Sequence, residues 1–139
     1  MKYHETPVAV RFNEVDAYNT AWHGHYVAWM EVGRNDLAGR FELDAAHIAT
    51  SGYFAPVVAL ELKYKKPVRF SEEIRVLTTL CHTETATLEF ITRIVRADGK
   101  VAAEGRTVHA LTDKEGTLQY TVPPVIRERL ERLVAYLEG

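Results

Sequence analysis

The pattern of the chain changes from strand-like to helix-like within residues 16–26, Asp-Ala-Tyr-Asn-Thr-Ala-Trp-His-Gly-His-Tyr. Chain polarity places the carboxylate of Asp16 just before a turn, and the first N–H groups of the following helix point back toward it. Those N–H groups lack intrahelical acceptors, and the helix macrodipole makes that end partly positive. An anionic base beside an oxyanion binder suits the attack of water on an acyl carbonyl. The alternative is that Asp16 only forms the turn, as many loop aspartates do.

The segments on either side of this run predict a first strand and a long helix. Val8, Val10 and Phe12 alternate with other residues, the period of a half-buried strand. A helix is predicted from about His23 to Arg40, with apolar residues at helical spacing: Tyr26, Met30, Leu37 and Phe41. Gly33 falls on the same face, where it predicts that another element packs closely against the helix backbone.

The remainder of the chain predicts a sheet and a closing helix. A short helix over 44–51 is followed by strands that begin near 57, 74, 88 and 101, with turns at Asp98-Gly99 and Glu115-Gly116. Pro123-Pro124 then opens a C-terminal helix. Strands joined by short turns imply an antiparallel sheet, so we expect a single α+β domain over residues 1–139.

Composition narrows the function classes. The 139 residues are 47% hydrophobic and 26% charged, which is typical of a globular protein. A formal net charge of −2 argues against bulk binding to nucleic acid or to an anionic membrane. The one cysteine, Cys81, excludes an internal disulfide and favours a reducing cytoplasm. We see no signal peptide and no apolar run of the ~20 residues that would span a bilayer.

Three segments carry an ordered set of motifs. They are Phe12-Asn13-Glu14-Val15-Asp16 followed by Asn19, His23 and Tyr26; Tyr64-Lys65-Lys66-Pro67-Val68-Arg69-Phe70-Ser71-Glu72-Glu73-Ile74; and Gly105-Arg106-Thr107-Val108-His109 followed by Asp113, Gly116 and Pro123. This set resembles the hotdog-fold acyl-CoA thioesterases of the 4-hydroxybenzoyl-CoA thioesterase type, including the small thioesterases associated with the Tol–Pal system. The resemblance spans nearly the whole chain in the right order.

The resemblance implies a hotdog fold, in which an antiparallel sheet of about five strands wraps one long helix, with a C-terminal helix added. It implies hydrolysis of an acyl-CoA to a carboxylic acid and free CoA, without a cofactor. Asp16 would be the general base or the nucleophile. The backbone N–H of His23 would donate to the thioester carbonyl, with the imidazole as a secondary aid. The family assembles as homodimers or as dimers of dimers, with each active site between subunits.

The same resemblance assigns candidate substrate-binding residues. Asn19 stands where the family usually has glycine, and asparagine also accepts a left-handed backbone. Tyr26 either contacts substrate or packs in the core. Lys65, Lys66 and Arg69 belong to the densest basic stretch, which either holds the phosphates of CoA or is a solvated strand face.

Other functions stay open from the sequence. A non-catalytic acyl-CoA binding module would use the same groove, and a hotdog hydratase or dehydratase is the alternative enzyme. A metal site at His23 and His25 is disfavoured, because residues two apart on a helix point in different directions. His109, on a strand with alternating neighbours, is expected to be a structural histidine.

Overall fold

A computed structural model describes residues 2–81, 83 and 85–139. Its helices are α1 (His23–Gly39), α2 (Ala45–Thr50) and α3 (Pro124–Glu138), and a 3₁₀ turn covers Phe12–Glu14. Its strands are β1 (His4–Ala9), β2 (Tyr53–Phe54), β3 (Val57–Tyr64), β4 (Glu73–Cys81), β5 (Thr87–Val95), β6 (Val101–Ala110) and β7 (Thr112–Asp113). Within the described residues, no helix is long and apolar enough to cross a membrane.

The main sheet has five strands in the order β1-β4-β5-β6-β3, and every neighbouring pair is antiparallel. Helix α1 packs against β1, β4 and β5. Gly33 makes this close approach possible, because a Cβ added there would lie 2.4 Å from Cγ1 of Val76 in β4. The predicted α+β hotdog architecture and the predicted role of Gly33 are therefore confirmed.

Two clusters of buried side chains fill the space between the helices and the sheet. The cluster around the first half of α1 contains Trp29 and Met30, with Ile74 and Val76 of β4 opposite them. The cluster around its second half contains Leu37 and includes three fully buried residues of α3: Ile126, Leu133 and Leu137. Each fully buried side chain of this size contributes about 1.5–3 kcal/mol of transfer free energy. Helix α3 is thus part of the core.

The first strand is the element that the sequence pattern misplaced. We expected it to run through Val8 and Val10 to Phe12, but it covers His4–Ala9, and Phe12 is 76% exposed in the 3₁₀ turn. The buried face of β1 is polar rather than apolar. His4 and Thr6 are buried because both hydrogen-bond Oδ2 of Asp36 in α1, each at 2.7 Å.

The remaining elements lie close to their predicted bounds. The long helix ends at Gly39 rather than Arg40, and the short helix lies within the predicted 44–51. The strand predicted from Val101 to Thr112 breaks after Ala110, although the N–H of Leu111 still bonds the carbonyl of Ala86 in the register of the β5–β6 pairing. Beyond this break β7 pairs with β2 in a separate two-stranded ladder.

Strand β3 lies at one edge of the sheet and is largely uncovered. Val58, Leu60 and Tyr64 are 60%, 43% and 50% exposed. The ring of Tyr64 contacts Tyr26 in α1, with centroids 4.9 Å apart, so this side chain lies on the helix side of the sheet. An exposed apolar edge strand is a ready template for pairing with another chain.

Candidate functional site

An open cleft of about 370 Å³ lies where the loop before α1, the first turn of α1 and the end of β3 meet. Five of the residues singled out from the sequence line it: Asp16, His23, Tyr26, Lys65 and Lys66. The fold therefore brings together segments that are about 40 residues apart in the chain. Trp22 and Tyr64 also line the cleft, and neither was assigned a role from the sequence.

Asp16 forms the turn with one carboxylate oxygen and leaves the other available. Its Oδ1 accepts hydrogen bonds from the backbone N–H of Tyr18 (2.8 Å) and Thr20 (3.2 Å). No partner for Oδ2 occurs in the described part of the chain, and the residue is exposed. Forming the turn therefore occupies only Oδ1 of Asp16.

The same five-residue turn occurs a second time, at Asp113–Thr117. There Oδ1 of Asp113 accepts from the N–H groups of Glu115 and Thr117, both at 2.9 Å. In each turn the fourth residue has a positive φ, 57° at Asn19 and 86° at Gly116. Asn19 therefore adopts the left-handed backbone expected of it. The second turn lies outside the cleft, so it offers a matched reference for the first.

Asn19 and Arg69 fasten the Asp16 turn to the segment after β3. Oδ1 of Asn19 accepts from the N–H of Phe70 at 3.2 Å. The guanidinium of Arg69 donates to the carbonyl of Tyr18 at 3.5 Å and to Oγ1 of Thr20 at 3.4 Å. Among the described residues, neither Asn19 nor Arg69 belongs to the lining of the cleft. Their contacts position the turn.

Helix α1 begins without a side-chain cap. Its N-cap residue is Trp22, whose side chain makes no capping hydrogen bond. The N–H of His25 bonds the carbonyl of Trp22 at 2.9 Å, whereas those of His23 and Gly24 have no acceptor among the residues described. Two free donors at the positive end of a helix dipole form a site for a negatively charged oxygen.

Aromatic side chains surround this helix start. The ring of Trp22 lies between those of His23 and His25, with centroid distances of 4.9 and 5.4 Å. It also covers Gly24 so closely that a Cβ there would lie 2.1 Å from the indole. The hydroxyl of Tyr64 donates to the carbonyl of His23 at 2.8 Å. Within residues 2–81, 83 and 85–139, no group of three His, Cys, Asp or Glu residues could hold a metal ion.

Glu14 is a buried carboxylate that the sequence analysis did not single out. It is 3% exposed and accepts hydrogen bonds from the backbone N–H of Arg11 (2.7 Å) and Nε1 of Trp29 (3.1 Å). Burial raises its pKa, but the hydrogen bonds from Arg11 and Trp29 outweigh burial and hold the pKa below its ordinary value. The carbonyl of Glu14 also accepts from the N–H of Trp22 at 2.9 Å. Glu14 thus ties the loop to α1 on both sides of Asp16.

Two lysines lie at the rim of the cleft. The backbone N–H groups of Lys65 and Lys66 both bond the carbonyl of Ala102, at 2.7 and 3.0 Å. The ammonium of Lys65 is paired with Glu104 at 3.4 Å. Lys66 has no ion-pair partner among the described residues, so it is the freer cation of the two.

Tyr26 is packed in the core. It is 3% exposed, and its ring lies against those of Trp29 and Tyr64 at 5.1 and 4.9 Å. Burial raises the pKa of its phenol above the ordinary value. Tyr26 also belongs to the lining of the cleft.

Comparison with known proteins agrees with this geometry. Residues 10–130 match the thioesterase-like superfamily. A protein of Synechocystis sp. provisionally named esterase sll0410 is 28% identical over 134 residues, which cover 95% of this chain and 81% of the relative. A Bacillus subtilis protein provisionally named acyl-CoA thioesterase YneP is 28% identical, covering 78% of each chain.

Among solved structures, the DHNA-CoA thioesterase from Staphylococcus aureus has a TM-score of 0.84 at 24% identity. The match covers 97% of this chain and 93% of that one, which shows a shared fold. The family match extends from the end of β1 to the middle of α3 and includes every residue that lines the cleft. The chain belongs to the thioesterase-like superfamily.

Proposed function

We propose that this protein is an acyl-CoA thioesterase that hydrolyses an acyl-CoA to a carboxylic acid and free CoA. One observation carries the proposal: Asp16, with one carboxylate oxygen unused by its turn, and His23, whose backbone N–H has no acceptor among the described residues, line the same open cleft. Membership of the thioesterase-like superfamily and the acyl-CoA thioesterase name of the relative YneP support the substrate class.

In the proposed reaction the thioester oxygen accepts a hydrogen bond from the backbone N–H of His23, at the positive end of α1, and gains negative charge there. Oδ2 of Asp16 either removes a proton from an attacking water or attacks the carbonyl carbon, giving an anhydride that water then opens. In both routes the C–S bond breaks and the CoA sulfur leaves with the electron pair. The sulfur then takes up a proton to give free CoA. The ring of His23 lines the cleft and assists as a secondary polar group.

The decisive experiment measures free thiol released from a panel of acyl-CoAs by three proteins: wild type, Asp16→Asn and Asp113→Asn. Asparagine keeps Oδ1 as an acceptor, so both variants should retain their turns and fold. We expect Asp16→Asn to lower turnover by at least ~100-fold, the scale for losing a general base or nucleophile. Asp113→Asn should remain near wild type.

Two outcomes would contradict the proposal. If Asp16→Asn keeps most of its activity on the best substrate, Asp16 is not part of the mechanism. If wild type binds acyl-CoAs and releases no thiol from any of them, the protein is a non-catalytic binding module.

The two rim lysines are proposed to hold the phosphates of CoA. Lys66 is the stronger candidate because it forms no ion pair in the described part of the chain, whereas Lys65 is paired with Glu104. The guanidinium of Arg69 already donates hydrogen bonds to Tyr18 and Thr20 in the Asp16 turn, so Arg69 acts by positioning that turn.

We also propose that the protein is a homodimer at least, through edge-to-edge pairing of two β3 strands. This pairing would cover Val58 and Leu60 and satisfy an open edge, and an identical patch on both copies is what a twofold interface requires. Tyr64 lies on β3 and lines the cleft, so the partner would border the cleft. The single Cys81 favours the cytoplasm as the place of the reaction.

Light scattering tests the assembly with Leu60→Glu and, as control, Val125→Glu on α3. Leu60 and Val125 are similarly exposed, at 43% and 40%. We expect Leu60→Glu to be monomeric and inactive with unchanged circular dichroism, and Val125→Glu to match wild type. A wild-type monomer with full activity at assay concentration would show that the cleft needs no partner.

A further inference from the structure

The hydroxyl of Tyr64 is a polar group at the cleft that has no role in the reaction described above. Tyr64 is the last residue of β3, is half exposed and lines the cleft. Its ring meets those of Tyr26 and His23 edge-on, at centroid distances of 4.9 and 6.5 Å. Its hydroxyl donates to the carbonyl oxygen of His23 at 2.8 Å. Phenylalanine would keep the ring contacts, so what the hydroxyl adds is the bond to His23.

The first turn of α1 has little to hold it in place from within the helix. No side chain caps it, and uncapped helix ends fray. Fraying would displace the backbone N–H of His23, which donates to the thioester oxygen in the proposed reaction. A donor stabilises an oxyanion well only when it is fixed in place before the charge develops. The proposed chemistry therefore requires contacts that hold the helix start and leave this N–H free.

Two hydrogen bonds hold the backbone, one on each side of the His23 N–H. On the N-terminal side the N–H of Trp22 bonds the carbonyl of Glu14 at 2.9 Å. On the C-terminal side the hydroxyl of Tyr64 bonds the carbonyl of His23. A carbonyl oxygen has two lone pairs, so accepting from Tyr64 leaves one for the next turn of the helix. Tyr64 thus holds the first turn through an acceptor, and the N–H of His23 is not used.

We propose that Tyr64 is a positioning residue for thioester hydrolysis, whose hydroxyl holds the first turn of α1 so that the N–H of His23 faces the thioester oxygen. The inference rests on the proposed function. The bond joins residues 41 positions apart and connects an edge strand of the sheet to the helix start. Lys65 and Lys66 directly follow Tyr64 and line the same cleft. The bond therefore also fixes the donor relative to the lysines proposed to hold the CoA phosphates.

Tyr64→Phe keeps the ring and removes the hydroxyl. Because the thioester oxygen gains charge on the way to the transition state, a displaced donor weakens binding of the transition state more than binding of the substrate. We expect kcat on the best acyl-CoA to fall ~3- to 10-fold, the range that the loss of one hydrogen bond produces, with KM changed less than ~2-fold.

Tyr120→Phe is the matched control. Tyr120 is 96% exposed, and its hydroxyl has no hydrogen-bond partner in the part of the chain that the structure describes. This variant should match wild type in both kcat and KM. Circular dichroism and light scattering should match wild type for both variants, which excludes misfolding and a change of assembly as the cause.

Backbone NMR tests the contact without an activity readout. The amide proton of Gly24 belongs to the same peptide group as the carbonyl of His23, and a hydrogen bond accepted by that carbonyl polarises the group. In Tyr64→Phe the Gly24 amide proton resonance should therefore move upfield, while that of Glu128 in α3 stays in place.

The outcomes separate this role from the proposed function. If wild type is active and Tyr64→Phe has an unchanged kcat, or if the Gly24 resonance does not move, the role of Tyr64 is overturned and the hydrolysis stands. A raised KM with unchanged kcat would likewise overturn it, because the hydroxyl would then act in substrate binding. A wild type that releases no thiol from any acyl-CoA would overturn the proposed function, and the role of Tyr64 with it.

Discussion

Substituting alanine at Gly33 and at Gly39 should change stability in opposite directions, although both glycines lie in α1. Alanine stabilises a helix by up to about 1 kcal/mol relative to glycine. At Gly39 no other described part of the chain, apart from the helix's own backbone, lies within 4 Å of the added Cβ. This gain should therefore appear unopposed, although it is smaller because the position is terminal. At Gly33 the Cβ would lie 2.4 Å from Cγ1 of Val76 and 2.7 Å from Oγ1 of Thr78. Both neighbours are fully buried, so neither can simply swing away.

Overpacking a buried contact of this kind costs about 1–3 kcal/mol. Gly33→Ala should therefore be destabilised by up to about 2 kcal/mol, and the difference between the two variants should be about 1–3 kcal/mol. Urea unfolding followed by circular dichroism measures both values, and in thermal unfolding each kcal/mol corresponds to about 4 °C in Tm. If Gly33→Ala is as stable as Gly39→Ala, α1 does not lie against β4 as described.

Three further predictions concern charged groups. Glu14→Gln should lower the free energy of unfolding by about 2 kcal/mol, measured by urea titration, because it weakens a buried acceptor of several hydrogen bonds. Hydrogen bonds hold the pKa of Asp36 below its ordinary 3.8, so its ionised form stabilises the fold above that pH. Asp36→Asn should therefore lower the free energy of unfolding by roughly 1 kcal/mol at pH 7, allowing for the partial exposure of the side chain. The difference from wild type should shrink as the pH falls below about 4. Replacing Lys65 and Lys66 with alanine should raise KM for an acyl-CoA but hardly change it for an acyl-pantetheine, whereas Lys63→Ala should alter neither; equal effects on both substrates would place the two lysines away from the nucleotide.

Local periodicity predicted most of the fold because most elements bury apolar side chains. Strand β1 is the exception, and the reason is physical: its buried His4 and Thr6 are stabilised by Asp36, which lies 30 or more positions later. A polar buried face has no period that distinguishes it from a solvated one. The pairing of β3 with β6 and the separate β2–β7 ladder likewise depend on contacts between distant segments.

The candidate site was predictable to the extent that it is local. Asp16 and His23 are seven positions apart and meet because one turn joins the loop to the helix. Lys65 and Lys66 follow β3 and line the same cleft because the sheet brings the end of β3 next to the start of α1. Their assignment as candidates came from the family resemblance. The burial of Glu14 could not be predicted from local sequence, because its hydrogen-bond partner Trp29 lies 15 positions later in the chain, on α1.

The uncapped start of α1 sets stability against activity in this protein. A serine, threonine or aspartate at the N-cap position stabilises a helix by about 1 kcal/mol, and Trp22 does not provide this. Such a side chain would occupy the N–H groups that the proposed reaction leaves for the substrate. Selection for thermal stability alone would therefore favour polar N-caps at this position and would yield enzymes with higher stability and lower turnover. Thermostable variants of this protein that keep their activity should carry their stabilising changes elsewhere.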